Sequence, residues 1–252
     1  MIPETEKEVL ALNYAGILAG GIGSRMESDI PKQFLKIADV PIIIRTIRTF
    51  AAMPNIDKIV LAMNPQWMEY CRSMLKEYEV DVSNILIISG GTSRFLSMVN
   101  IVNACLSHAA DRDSEDYLCI HDCARPFLSH RMIEDNFRLA KQYDMVTTSI
   151  PTIDTILISE NGKEGTRVPN RSTIFCDQGP QTFRIQQFKS IYENLTQEEI
   201  DSYIEAGRMY MEKGYRVGIV EGDRMNFKIT TSFDISFAEF LLQNHHKLGE
   251  QV

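Results

Sequence analysis

The feature that most constrains this chain is an alternation of short, β-branched apolar runs with longer stretches whose apolar residues recur every three or four positions. The runs are Tyr14–Leu18, Lys58–Ala62, Ile85–Ile88, Tyr117–Ile120 and Met145–Ile150, and helix-like stretches lie near residues 41–52, 66–79, 93–109 and 130–141. Strand, helix, strand in this order predicts an α/β fold, a doubly wound, Rossmann-like, mostly parallel sheet covered on both faces. Runs such as IVLAM and ILIIS are almost continuously apolar, as strands buried on both sides should be. In sheets of this kind ligands bind outside the carboxyl ends of the strands. The loops at residues 19–32, 89–97 and 121–126 are therefore expected to share one rim.

From about Asp154 to Phe183 the rhythm changes. DTILISENGKEGTRVPNRSTIF reads as a strand, a polar turn at Asn161 and Gly162, and a return strand. A lone hairpin is marginal in water, so it is expected to be an arm on a second subunit rather than a flap over the site, giving a homodimer. Beyond it, helices are expected near 185–213, a strand at Arg216–Val220 and a last helix from about Ser232, with Ser232 as its cap. The 252 residues suffice for one domain, 14–252, behind a loose leader at 1–13.

Composition excludes several classes. The five cysteines, Cys71, Cys105, Cys119, Cys123 and Cys176, show no CxxC spacing, so neither a disulfide scaffold nor a zinc site is expected. The opening MIPETEKEVLALNY lacks the basic start and apolar stretch of a signal peptide, and no run is long enough to span a membrane, so a cytoplasmic protein is expected. A net charge of -8 argues against a nucleic-acid surface. An acidic protein that binds a polyphosphate must gather its cations at one place.

Three motifs meet that requirement. Leu18-Ala19-Gly20-Gly21-Ile22-Gly23-Ser24-Arg25-Met26, followed by Pro31-Lys32-Gln33, is a glycine-rich turn directly after a strand, where backbone N–H groups can approach phosphate oxygens. Its spacing is neither GxGxxG nor GxxxxGK[ST], which removes the dinucleotide and P-loop readings and, with them, a nicotinamide-dependent oxidoreductase. Taken alone, it is equally a tight turn with two solvated cations. Arg25 and Lys32 suit nucleotidyl transfer, in which negative charge builds on the α-phosphate and the departing pyrophosphate. Gly90-Gly91-Thr92-Ser93-Arg94, with Ser97, sits at a helix start, where N–H groups can meet a base or ribose; it is also an ordinary N-cap loop. His121-Asp122-Cys123-Ala124-Arg125-Pro126 ends a strand with a carboxylate suited to Mg2+ and an arginine suited to phosphate, or else an Asp–Arg pair bracing a loop. His121 is read as a packed strand-end residue.

With these motifs in place, residues 14–242 resemble the cytidylyltransferases that act on methylerythritol 4-phosphate and ribitol 5-phosphate. The resemblance implies CTP and a small polyol phosphate as substrates, Mg2+ as cofactor and release of pyrophosphate. By position it gives Arg25, Lys32 and Lys228 catalytic roles, and Leu18, Ala19, Gly20, Gly21, Gly23, Gly90, Gly91, Arg94, Ser97 and Asp122 nucleotide contacts. Asp122 would also hold the metal, and Arg125, Thr155 and Arg171 would hold the acceptor, Arg171 in the partner's site if the hairpin is a dimer arm. Without the resemblance, Thr155, Arg171 and Lys228 would read as solvated surface residues.

The chain departs from some members at three places: Gly179 stands for a threonine before Pro-Gln, Ile204-Glu205 for a Thr-Asp pair, and Met225 for an aspartate able to help hold metal. LAGG in the first loop, Pro-Asn-Arg in the arm, Pro-Gln-Thr-Phe after it and Lys-Ile-Thr-Thr near the end resemble the ribitol-phosphate branch. Methylerythritol 4-phosphate is the alternative acceptor. The missing hydroxyls also leave a non-catalytic CTP-binding module as a rival reading.

Overall fold

A computed structural model describes residues 11–21, 30–109 and 115–244. Its main strands are β1 (Asn13–Ala19), β4 (Lys58–Met63), β5 (Ile85–Ser89), β6 (Tyr117–Asp122), β7 (Met145–Pro151), β8 (Phe175–Arg184) and β9 (Val217–Glu221). They form a seven-stranded sheet in the order β5-β4-β1-β6-β8-β7-β9, while β2 (Lys36–Ile37) and β3 (Val40–Pro41) make a small separate ladder. All pairings in the large sheet are parallel except those of β8, which runs antiparallel to both β6 and β7. The helices are α1 (Ile42–Ala51), α2 (Met68–Glu77), α3 (Arg94–His108), α4 (His130–Ala140), α5 (Ile185–Tyr192), α6 (Gln197–Ser202), α7 (Ala206–Glu212) and α8 (Ser232–Gln243).

The period of two along each strand divides the core. Ile17, Leu61 and Cys119 face one way, into a cluster with Ile43 and Ile47 of α1 and Phe137 of α4. Tyr14, Val60 and Ile120 face the other way, against Phe95 and Met98 of α3, Phe188 of α5 and Tyr210 of α7. Burial of each such side chain contributes about 1.5–3 kcal/mol. The central strands β1, β4 and β6 are thereby clamped from both sides, which fixes the carboxyl-end loops they carry.

Two expectations need correction. The arm is shorter than the 154–183 expected: from Phe175 onward the chain is β8, because Gln181, Thr182 and Phe183 are buried and paired between two strands of the sheet. Only residues 152–174 project, joined by a single antiparallel bridge between Ile158 and Arg167. The turn there is held by Asn161, whose side-chain oxygen accepts from the Lys163 and Glu164 N–H groups at 2.9 Å each. The cap of α8 is Thr231 rather than Ser232: Asp234, three residues on, reciprocates with Thr231 and closes a capping box. Among the described residues no helix is long and apolar enough to cross a membrane. Of the expected leader, residues 1–10 lie outside the described residues.

Candidate active site

The three loops do share one rim. A cleft of about 370 Å³ at the carboxyl ends of β1 and β6 is lined by Leu18–Gly21, Lys32, Gln33, Gly91–Arg94, Ser97, Asp122–Ala124 and Lys228. Its first wall is the end of β1. Gln33, buried beside it, donates from Nε2 to the Ala19 carbonyl at 2.7 Å, so the lysine before it is carried into the cleft on a braced turn. Lys32 Nζ donates to the Ile229 carbonyl at 2.9 Å, and the Ile229 N–H donates to the Ala124 carbonyl at 2.8 Å. The two lysine-bearing segments and the loop after β6 are thus laced together. Gly23 and Arg25 lie outside the described residues.

The second wall is the start of α3. Ser93 caps the helix, accepting from the Leu96 N–H at 3.1 Å. Gly91 is required there: a β-carbon would sit 2.5 Å from Leu96 Cβ. Ser97 is nearly buried, and its hydroxyl braces the loop, accepting from the Gly91 N–H at 3.0 Å and donating to the Ser93 carbonyl at 2.8 Å. Gly90 stands just behind the lining, its N–H bonded to the Met63 carbonyl at 2.7 Å.

The centre of the cleft is Asp122. Arg94 Nε lies 2.9 Å from one carboxylate oxygen and Lys228 Nζ 2.6 Å from the other. Burial alone would raise its pKa, but Arg94 and Lys228 outweigh that and hold the carboxyl well below the usual carboxylate range. Neighbouring His121 is fully buried, which pushes its pKa down to about 4 and keeps the ring neutral. Arg125 stands behind the cleft lining, between Asp122 and Asp177, and donates from Nη1 to the Asn226 carbonyl at 2.8 Å. Asn226, fully buried, donates from Nδ2 to the Gly179 carbonyl at 2.8 Å.

Ten of the residues picked from the sequence therefore line this one cleft: Leu18, Ala19, Gly20, Gly21, Lys32, Gly91, Arg94, Ser97, Asp122 and Lys228. Thr155 and Arg171 do not. Both are exposed on the projecting segment, where Arg171 donates to the Ile153 carbonyl at 3.0 Å. The sequence alone gives Gln33 and Asn226 no role of their own. Gln33 was visible only as the neighbour of a lysine, and the role of Asn226 depends on a strand 47 positions away.

As a metal ligand Asp122 has suitable chemistry, an ionised hard-oxygen donor at the rim. Among the described residues no group of three or more His, Cys, Asp or Glu side chains could hold an ion. One carboxylate completed by phosphate oxygens and water is nevertheless a sufficient set for Mg2+.

A strand-end cleft with a glycine-rich first wall, a pinned carboxylate and converging lysines, on this sheet, belongs to a nucleotidyltransferase. Residues 14–244 match the family described as 2-C-methyl-D-erythritol 4-phosphate cytidylyltransferase (IspD), and the chain belongs to that family. It is similar to two proteins named ribitol-5-phosphate cytidylyltransferase, from Streptococcus pneumoniae strain CGSP14 (38% identity) and serotype 2 strain D39 / NCTC 7466 (39%). Each alignment spans 232 residues, 91% of this chain and 98% of the relative. Among solved structures, 4-diphosphocytidyl-2C-methyl-D-erythritol synthase from Anaerococcus prevotii DSM 20548 superposes with a TM-score of 0.76 at 26% identity. That superposition covers 92% of this chain and 96% of the other.

Proposed function

We propose that this enzyme transfers CMP from CTP to D-ribitol 5-phosphate, giving CDP-ribitol and pyrophosphate. The observation that carries the chemistry is Asp122 held between Arg94 and Lys228 in a cleft that Lys32 also lines. The choice of acceptor is supported by the relatives named for ribitol 5-phosphate and by the LAGG, Pro-Asn-Arg, Pro-Gln-Thr-Phe and Lys-Ile-Thr-Thr segments.

In this reading an oxygen of the acceptor phosphate attacks the α-phosphorus of CTP. The new P–O bond forms as the bond from the α-phosphorus to the bridging oxygen breaks, and pyrophosphate departs with that electron pair. Arg25, Lys32 and Lys228 neutralise the charge that accumulates on the α-phosphate and the leaving group. Backbone N–H groups of residues 18–23 cradle the triphosphate, while Gly90, Gly91, Arg94 and Ser97 hold the nucleoside. Asp122 would hold Mg2+, which, when bound, screens the phosphate charges and orients them. Arg125 takes the acceptor phosphate.

Thr155 and Arg171 are assigned to the acceptor, Arg171 in the site of a partner subunit. The exposed apolar residues Ile153, Leu157, Val168 and Phe175 on and beside the projecting segment support a homodimer through this arm. Neither nucleic acid nor membrane is a partner in this reading, and the enzyme works in the cytoplasm as one nucleotidyltransferase unit. Pyrophosphate release measured with CTP, Mg2+ and a panel of ribitol 5-phosphate, 2-C-methylerythritol 4-phosphate and glycerol 3-phosphate tests it. Highest kcat/KM with ribitol 5-phosphate is expected. A preference for methylerythritol 4-phosphate overturns the acceptor, and CTP binding without release under any acceptor overturns the enzyme.

A further inference from the structure

The end of β8 beside the cationic cleft carries an acidic edge that phosphate chemistry does not require. The exposed Asp177 carboxylate accepts from the Thr147 hydroxyl at 2.5 Å and from Gln181 Nε2 at 3.0 Å. The same Gln181 nitrogen donates to Glu205 at 2.8 Å, and Glu205 caps α7 by accepting from the Gly207 and Arg208 N–H groups. The carbonyl of Ile204 accepts from Arg94 at 3.0 Å, so this edge adjoins the cleft directly. Carboxylates repel phosphate and accept hydrogen bonds from hydroxyl groups. Such an edge suits the uncharged tail of an acceptor, not its phosphate.

A separate observation points to the same place. His121 Nε2 lies 2.9 Å from the Arg125 carbonyl, which can only accept, so Nε2 carries the proton and Nδ1 is a bare acceptor. His121 is completely buried and its Nδ1 has no hydrogen-bond partner. It faces Gly179, where an added β-carbon would meet nothing nearer than this nitrogen, 3.8 Å away. Gly179 adopts φ +64°, donates its N–H toward Asp177 at 3.4 Å, and gives its carbonyl to Asn226. Two more buried atoms of this linked group, Arg125 Nε and Asn226 Oδ1, also have no partner. The missing β-carbon of Gly179 leaves room between His121 and the exposed Asp177 carboxylate, which takes hydroxyl hydrogens and gains nothing from a methyl group.

We infer that Asp177, with Gly179 and His121 beside it, forms a subsite that reads the hydroxyl groups of the acceptor's carbon chain, and that Asp177 sets the preference for polyhydroxylated over methyl-branched polyol phosphates. This rests on the reading above in which Arg125 holds the acceptor phosphate. Thr147 and Gln181 keep the carboxylate in place, and its open lone pairs receive the O–H groups.

The test is steady-state pyrophosphate release by the full chain and its Asp177→Ala and Asp177→Asn variants, with ribitol 5-phosphate, 2-C-methylerythritol 4-phosphate and glycerol 3-phosphate. Asp177→Ala should raise the KM for ribitol 5-phosphate by about tenfold or more, as expected for loss of a hydrogen bond to a charged group. The KM for CTP and for the shorter glycerol 3-phosphate should move less than about threefold, and Asp177→Asn should fall between. An equal change for every acceptor, or none for ribitol 5-phosphate, overturns the inference. If the wild-type enzyme ignores ribitol 5-phosphate, the proposed acceptor falls and the same comparison on the polyol phosphate it does use decides the role of Asp177. If it turns over none, both fall.

Discussion

Lys228 and Asp122 lie 106 positions apart in the chain and meet at 2.6 Å in the middle of the cleft. The lysine reaches that point because Ile229, its neighbour, is bonded to Ala124 in the loop that follows Asp122. Replacing Lys228 with Met, which keeps most of the stem and removes the charge, should lower kcat at least about a hundredfold. Lys32→Ala should do the same. Single-turnover formation of CDP-polyol with purified variants checks both, and unchanged turnover in either removes that lysine from the chemistry.

Gly91→Ala tests the second wall. The new β-carbon must displace the Leu96 turn, so the braced Gly91–Ser97 loop cannot keep its shape. The KM for CTP should rise about tenfold, with a smaller change for the acceptor. Nucleotide titration by calorimetry gives the same answer without turnover.

His121 imposes a pH dependence on stability. Its folded pKa is about 4 against 6.5 for the free side chain, because burial disfavours the charged ring. As pH falls from 6.5 toward 4, the unfolded chain binds a proton that the folded chain refuses, so unfolding becomes easier. The contribution is complete above about pH 6.5 and is lost progressively down to about pH 4, amounting to roughly 3 kcal/mol at most. Urea unfolding at pH 7 and pH 5 should show this slope in the wild type and a shallower one in His121→Gln.

Asn226 fastens the lysine-bearing loop to β8 through the Gly179 carbonyl and offers its own carbonyl to Arg125. Asn226→Ala leaves that Gly179 carbonyl without its donor and should cost about 1–3 kcal/mol of unfolding free energy. Turnover should also drop, since Lys228 lies two residues on. A variant with wild-type stability and wild-type kcat would show that this latch is dispensable.

Much of this architecture is legible in sequence because the central strands are apolar on both faces and are followed by loops rich in glycine or polar residues. Strands β1, β4, β5, β6 and β7, and helices α1 to α4, fall within a few residues of where periodicity places them. The meeting of three loops follows from that topology alone. The order of β8 does not: FCDQGPQTFR carries polar residues that look solvent-facing, and its burial depends on partners such as Asn136 of α4, whose Oδ1 accepts from the Thr182 hydroxyl at 3.2 Å. Local pattern cannot register such a contact. Arg125 was legible as a cation beside Asp122, but the direction of its side chain is decided by Asn226, 101 positions later.

Strand β8 is one continuous ten-residue element. Its first residues stand in solvent beside the projecting segment, its middle bears Asp177 and Gly179, and its last residues are wedged between β6 and β7. The ladder to β7 breaks between Asp177 and Gln181, where Gly179 bends the strand, yet both halves keep β7 as their neighbour. Any body that grips the projection at 152–174 therefore pulls on the strand that carries the mouth of the cleft, which joins quaternary contacts there to the choice of molecules admitted.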